Sequence, residues 1–403
     1  MERIATPALR LAGHATLAAA LLAAAGAAVA QDKPAVKIGF VTELTGPWSF
    51  FGTSCAAGLK FAEATLNPPG KRRIEIIVKD NQTNPAQAVA AARSLDVQDK
   101  VLSLSGPTSS DNALAVYGYA EQNKVPFIVP VAAFPQLTKP GTRYTFRLEP
   151  DAAGWGYAIA KFVEKKKPGA KLAMIYSDYA LMQAITAGLK YQAPKSGLNI
   201  VADIKFPQGA SDATVQAAQV LAAKPDYVVV IGAGGFDNTV TNQLLGLGIK
   251  PEQVIHPFGI TTQVLNWGKK SAGSYYGTFF DANLDSLTPE GKAFVKQFTE
   301  QNGRPPSYVE NYCYVTAQLY REVIDKHPDA ADDREKFRDA VSALKTKEST
   351  SGIPIVFDAN GARKEYMYFM QIKDVVEKKS YTSTQQFYIE WDPEVIPVYD
   401  LVK

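Results

Sequence analysis

The sequence predicts an α/β fold of two doubly wound lobes, on three observations. Short β-branched runs alternate with longer amphipathic stretches over residues 36–131, and the same rhythm restarts over residues 154–247. At 403 residues the chain is too long for one core and suits two lobes. No Gly-, Ser- or Pro-rich linker separates the blocks, so they are expected as parts of one body rather than beads on a string.

The first thirty residues stand apart from that fold. Arg3 and Arg10 form a short basic start, Ala15 to Val29 is almost wholly Ala and Leu, and Ala28-Val29-Ala30 has a small-x-small cleavage pattern. The apolar run is shorter than the roughly 20 residues a membrane span needs, and no basic stop-transfer cluster follows it. A signal peptide over 1–30, cleaved after Ala30, is the expectation. No cysteine follows the cut at Gln31, so no lipid anchor is expected.

The elements follow in order. Val36–Val41 is a β-branched run and reads as a strand; Thr42-Glu43-Leu44-Thr45-Gly46-Pro47 is a turn-rich loop, and Thr53–Asn67 has helical periodicity. Ile74–Lys79 is the next strand and Ala-rich Asn84–Gln98 the next helix; then come strand Val101–Ser105, helix Asp111–Gln122 and strand Pro126–Val131. Units of this length imply a parallel sheet covered by helices on both faces. In the second block, helix Gly154–Lys166, strand Lys171–Tyr176 and helix Met182–Ser196, stopped by Gly197, are followed by Asn199–Phe206, Val215–Ala223, Tyr227–Ile231 and Asn238–Leu247. Tyr275–Phe280 and Ile353–Phe357 read as strands around helices Pro289–Gln301 and Tyr308–Lys326. The tail returns to strands at Tyr366–Lys373 and Gln385–Trp391.

Composition and motifs exclude several classes. A formal charge of +3 gives no basic field for nucleic acid. Three histidines and two cysteines in the whole chain make a metal site unexpected. Cys55 and Cys313 could pair in an exported protein, but a chain this large needs no staple, and two buried thiols are the simpler reading. There is no phosphate loop, HExxH or GxSxG elbow, and Gly232-Ala233-Gly234-Gly235 lacks the glycine spacing of a dinucleotide loop. No cofactor is expected. A serine hydrolase using Ser109 or Ser110 needs a base, for which only His256 and His327 remain past the leader; His327 reads as a helix end and His256 is unsupported.

Thr108, Ser109 and Ser110 follow a strand and open a helix, where hydroxyls and helix-start amides suit a carboxylate. The alternative reading is simple helix capping.

Three stretches carry a resemblance to a known family. Val36 through Pro47 resembles the opening strand and first loop of branched-chain-amino-acid-type (type I) periplasmic substrate-binding proteins of ABC transporters. Gly106-Pro107-Thr108-Ser109-Ser110, then Val125 through Ala133 and Gln136-Leu137-Thr138, resemble that family's second and third binding loops, and Phe357-Asp358-Ala359-Asn360-Gly361 its late turn. The resemblance implies two lobes joined by three crossing strands, with 34–150 plus 276–352 in the first and 151–275 plus 357–403 in the second. It implies a non-catalytic periplasmic monomer that clamps a small molecule in the crevice and delivers it to membrane permease subunits. A separate signalling partner would make it a sensor instead.

Residue by residue, the resemblance places Ser110 where the family contacts a ligand carboxylate. Phe258, in His256-Pro257-Phe258-Gly259, stands where amino-acid binders carry a glutamate for the ammonium. Ala133, after Ala132, replaces a threonine, and a tyrosine of the second lobe is replaced near Leu181, beside Tyr179. A buried ammonium without a counter-charge is unfavourable, so an amino acid is not expected. Trp48, Phe50, Phe51, Phe134, Phe236 and Phe258 fall at loop positions that converge in the family. The expected ligand is a non-amine with an apolar or aromatic body and one carboxylate; aliphatic acids, amides and urea-like solutes stay open.

Overall fold

The computed structural model describes residues 33–206, 212–376, 379–392 and 396–402; the expected leader lies outside them. The chain begins with β1 (Val36–Thr42), α1 (Ser49–Leu66), β2 (Ile74–Asp80), α2 (Pro85–Val97), β3 (Ser103–Ser105), α3 (Ser110–Asn123), β4 (Phe127–Val129) and β5 (Thr145–Arg147). These five strands form one parallel sheet in the order β2-β1-β3-β4-β5. Local signals set the boundaries: α2 starts on Asn84, whose side chain accepts from Ala86 and Gln87 amides, with Pro85 in the first turn.

The second block follows as α4 (Ala152–Lys166), β6 (Lys171–Ser177), α5 (Ala180–Lys195), β7 (Asn199–Phe206), α6 (Thr214–Ala222), β8 (Tyr227–Ile231), α7 (Gly235–Gly246), β9 (Val254–His256), α8 (Thr261–Trp267) and β10 (Tyr275–Thr278). Its parallel strands run β7-β6-β8-β9-β10, the same winding as the first sheet. Each sheet therefore reverses strand order once, between β1 and β3 and between β6 and β8. At such a switch point the loops leaving the strands' carboxyl ends splay apart and leave a crevice.

The chain then crosses back. Helices α9 (Pro289–Asn302), α10 (Tyr308–Lys326) and α11 (Arg334–Ser342) return to the first lobe, where α10 lies along α1. Strands β11 (Lys345–Lys347) and β12 (Pro354–Val356) form a small antiparallel sheet. The long hairpin β13 (Glu365–Val376) and β14 (Ser380–Trp391) adds antiparallel to β10, and α12 (Val398–Leu401) closes the described chain. The three crossings after β5, after β10 and after β12 give the expected two-lobed fold. The second handover falls after Thr278, because Tyr276–Thr278 still pair with β13.

Several expectations change. Cys55 and Cys313 form a disulfide between α1 and α10, with Cα atoms 5.3 Å apart, so the reading of two free thiols is corrected. The three-residue strands β5 and β9 were not expected, and the tail strands are longer than their apolar cores. The largest hydrophobic cluster runs through both lobes, from Ile38 and Phe40 to Met174 and Val229, so the hinge side is packed rather than loosely joined.

Candidate functional site

The first lobe's half of the crevice is organised around a carboxylate of the chain itself. Gly106 leaves β3 at φ +75°, and a Cβ there would sit 2.0 Å from the Val41 carbonyl, so only glycine lets the two loops approach. That approach brings Glu43, just past β1, under the start of α3. Its Oε2 accepts from the Thr108 amide at 3.0 Å and the Thr108 hydroxyl at 2.5 Å. Its Oε1 accepts from the Ser109 amide at 3.3 Å, Asn112 Nδ2 at 2.9 Å and Asn81 Nδ2 at 3.0 Å. The seat expected to take a ligand carboxylate through Thr108 and Ser109 is thus filled by Glu43, at the positive end of α3. Ser110 is left over. Its residue is 4% exposed and its Oγ has no hydrogen-bond partner among the described residues.

Aromatic rings form the rest. Gly52 lets the start of α1 press on the Glu43 backbone, where a Cβ would meet the carbonyl at 2.0 Å. This seats Trp48 against Phe50 and Phe51, with ring centres 5.8 and 5.3 Å apart. Both rings of contact then reach the second lobe: Trp48 meets Tyr179 edge-on at 5.5 Å, and Phe51 meets Phe258 at 6.0 Å. Phe50 lies against Gly234. Phe258, 1% exposed, also packs on Trp155 at 5.7 Å, which leads to Phe279 at 5.1 Å and on to Tyr308 at 5.4 Å. Offset and edge-on pairs at these spacings are favourable ring geometry.

The remaining expected residues divide. Tyr179 and Leu181 open α5 beside this assembly, and Ala133 is buried with its carbonyl accepting from Ala152 N at 2.8 Å, which ties the third loop to the start of α4. Ala132 faces the separate first-lobe core with Leu104 and Val129, while the half-buried Phe134 touches both clusters. Phe236 does not join the interlobe rings. It packs on Phe206 at 4.8 Å in the second lobe's own core, because α7 turns it back over Gly232. At the crevice mouth a cavity of about 430 Å³ is lined by Trp48, Ser109 and Asn112 from one lobe and Asp178, Tyr179 and Gln183 from the other; this falls within the size range of small-molecule sites.

Sequence reasoning missed Glu43 and Trp155. Glu43 stood within the first loop read from the sequence, but its partners are 38 to 69 residues away, beyond any local signal. The hinge beneath the rings holds further buried charge. Glu365 accepts from the Asp151 amide at 3.0 Å and from Trp391 Nε1 at 2.7 Å, with Arg147 at 3.4 Å. Arg363 pairs with Glu348 at 2.6 Å, and Tyr366 bonds Glu348 at 3.2 Å. Burial pushes the Glu365 carboxyl well above its ordinary range, against the pull of Arg147.

His256 offers no catalytic arrangement with the serines. Its Nδ1 lies 3.1 Å from Asp237, its ring stacks on Trp267 at 3.8 Å, and Trp267 Nε1 donates to the same Asp237 at 2.9 Å. The His256 Nδ1 side is thus taken up by Asp237 and Trp267 in the second lobe, and neither serine is among its partners.

Two similarly wound lobes around a crevice lined at the sheets' switch points define a two-lobed solute-binding architecture. A sequence model of the family described as periplasmic binding protein matches residues 35–379, and the chain belongs to that family. It is 25% identical over 378 residues to Leu/Ile/Val-binding protein homolog 7 of Brucella suis biovar 1, covering 88% of this chain and 92% of that one. The solute-binding protein of an ABC transporter from Rhodopseudomonas palustris BisB5, solved with 3,4-dihydroxybenzoic acid, superposes with a TM-score of 0.80 at 23% identity, covering 90% of this chain and all of that one. The branched-chain amino acid transporter substrate-binding protein of Streptococcus pneumoniae, solved with isoleucine, gives 0.75 at 24% identity, covering 87% and 100%. The chain is accordingly a binding protein by family and not an enzyme.

Proposed function

We propose that this chain is exported by cleavage after Ala30 and, as a periplasmic monomer, captures a small non-amine carboxylate with an apolar or aromatic body for an ABC importer. The observation that carries the reading is the ring assembly bridging the lobes beside the cavity lined by Trp48, Ser109 and Tyr179, with the unpartnered Ser110 hydroxyl next in the chain. The relatives with this fold hold both a benzoic acid and isoleucine, so the architecture leaves the choice of ligand to the lining. Here the lining puts Phe258 where amino-acid binders place an acid, and rings favour another ring. Glu43 is already saturated by five donors, the Thr108 hydroxyl among them, which leaves the Ser109 and Ser110 hydroxyls to meet the ligand's acid group. Opening of the lobes parts Phe51 from Phe258 for entry, and closure reseals them.

Titration calorimetry with benzoate tests this. Ser110→Ala weakens binding by about 1–3 kcal/mol, the worth of a buried hydrogen bond to a charged group. An unchanged affinity removes Ser110 from the site.

A further inference from the structure

We infer that Glu149, on the first crossing between the lobes, is a second polar pole of the crevice and receives a hydroxyl on the far end of the ligand. The inference rests on the proposed carboxylate-binding role. Glu149 is fully buried, and neither carboxyl oxygen has a hydrogen-bond partner among the described residues. Every other buried acid at the hinge is engaged: Glu365 by Asp151 and Trp391, Glu348 by Arg363 and Tyr366, Asp151 by Gly154. A polar group held in the interior without partners is unfavourable, and such groups persist where something outside the fold supplies the bond.

Its position ties it to the rings. The next residue, Pro150, accepts from Trp155 Nε1 at 3.0 Å, and the Trp155 ring packs on both Phe258 and Phe279. Tyr308 lies against Phe279 from the other side. Ser110 stands at the start of α3, and Glu149 stands on the first crossing, next in the chain to the residue that holds Trp155. Burial also pushes the Glu149 carboxyl well above its ordinary range, with Arg147 opposing. Burial favours the uncharged carboxyl, and that form both donates and accepts, which suits a neutral hydroxyl better than a cation.

The test uses the mature chain with benzoate, 4-hydroxybenzoate and 4-(aminomethyl)benzoate, in the wild type and in Glu149→Leu. The wild type binds 4-hydroxybenzoate about tenfold more tightly than benzoate, and the aminomethyl compound no better than benzoate. In Glu149→Leu the hydroxyl preference falls to about unity. The ligand-free variant melts at or above the wild-type temperature, which a carboxyl with a structural role would not allow. Should the leucine variant fail to fold, that alone overturns the inference, because the carboxyl then supports the fold. Equal binding of the two acids by the wild type overturns it while leaving the carboxylate reading intact, and a preference for the aminomethyl compound overturns the hydroxyl assignment. Binding of neither acid overturns both readings together.

Discussion

Glu43→Ala is expected to destabilise the first lobe by about 3–5 kcal/mol, the range for removing one partner from a buried charged network. Removing the carboxylate strands the amides of Thr108 and Ser109 and the side-chain amides of Asn81 and Asn112, all buried. Each deserted donor carries its own desolvation penalty. The α3 start, where Ser109 makes no side-chain cap of its own, also loses the anion at its positive end. Glu43→Gln keeps the volume but turns an NH2 group toward donors, and should retain part of the loss, about 2–3 kcal/mol. Urea unfolding of both variants measures this. A Glu43→Ala midpoint equal to wild type would mean that the cluster contributes nothing to the fold.

Replacing Cys55 and Cys313 together by alanine is expected to lower stability by about 3–5 kcal/mol, since the bridge spans 258 residues and long loops lose most entropy on cross-linking. The affinity for ligand should hardly change. Both cysteines lie on α1 and α10, in the same lobe, so the bond neither spans the crevice nor constrains the hinge. Denaturant melts and calorimetry on the double variant separate the two effects. A large loss of affinity with unchanged stability would contradict this placement.

What the sequence discloses and what it hides follow from the range of the forces involved. Strands such as β6 and β8 carry near-continuous apolar runs because helices cover both sheet faces, so they are legible from composition alone. β5 and β9 are three residues each, too short for any periodicity, and are strands only because neighbours pair with them. The hairpin β13–β14 is longer than its apolar stretches because its tip, around Asp374 and Thr382, pairs through backbone bonds with exposed side chains. In the site, the first-loop rings and Phe258 came from the family resemblance, and the structure brings Phe51 against Phe258. Phe236 sat at an equivalent place in the chain, yet the direction in which α7 leaves its glycines sends it to Phe206 instead. Glu43 presents the sharpest case. A lone acid in a turn-rich loop carries no mark of the donors that gather on it from three other segments.

The central claim is that rings and one hydroxyl, without a counter-charge for an amine at position 258, select the ligand. The most direct measurement is the melting temperature of the purified mature chain with saturating benzoate and, separately, with saturating leucine. A ligand that binds only the folded state stabilises it by RT ln(1 + [L]/Kd), about 2.7 kcal/mol at a hundredfold excess over Kd. The account predicts a rise of several degrees with benzoate and none with leucine; a rise with leucine and none with benzoate contradicts it.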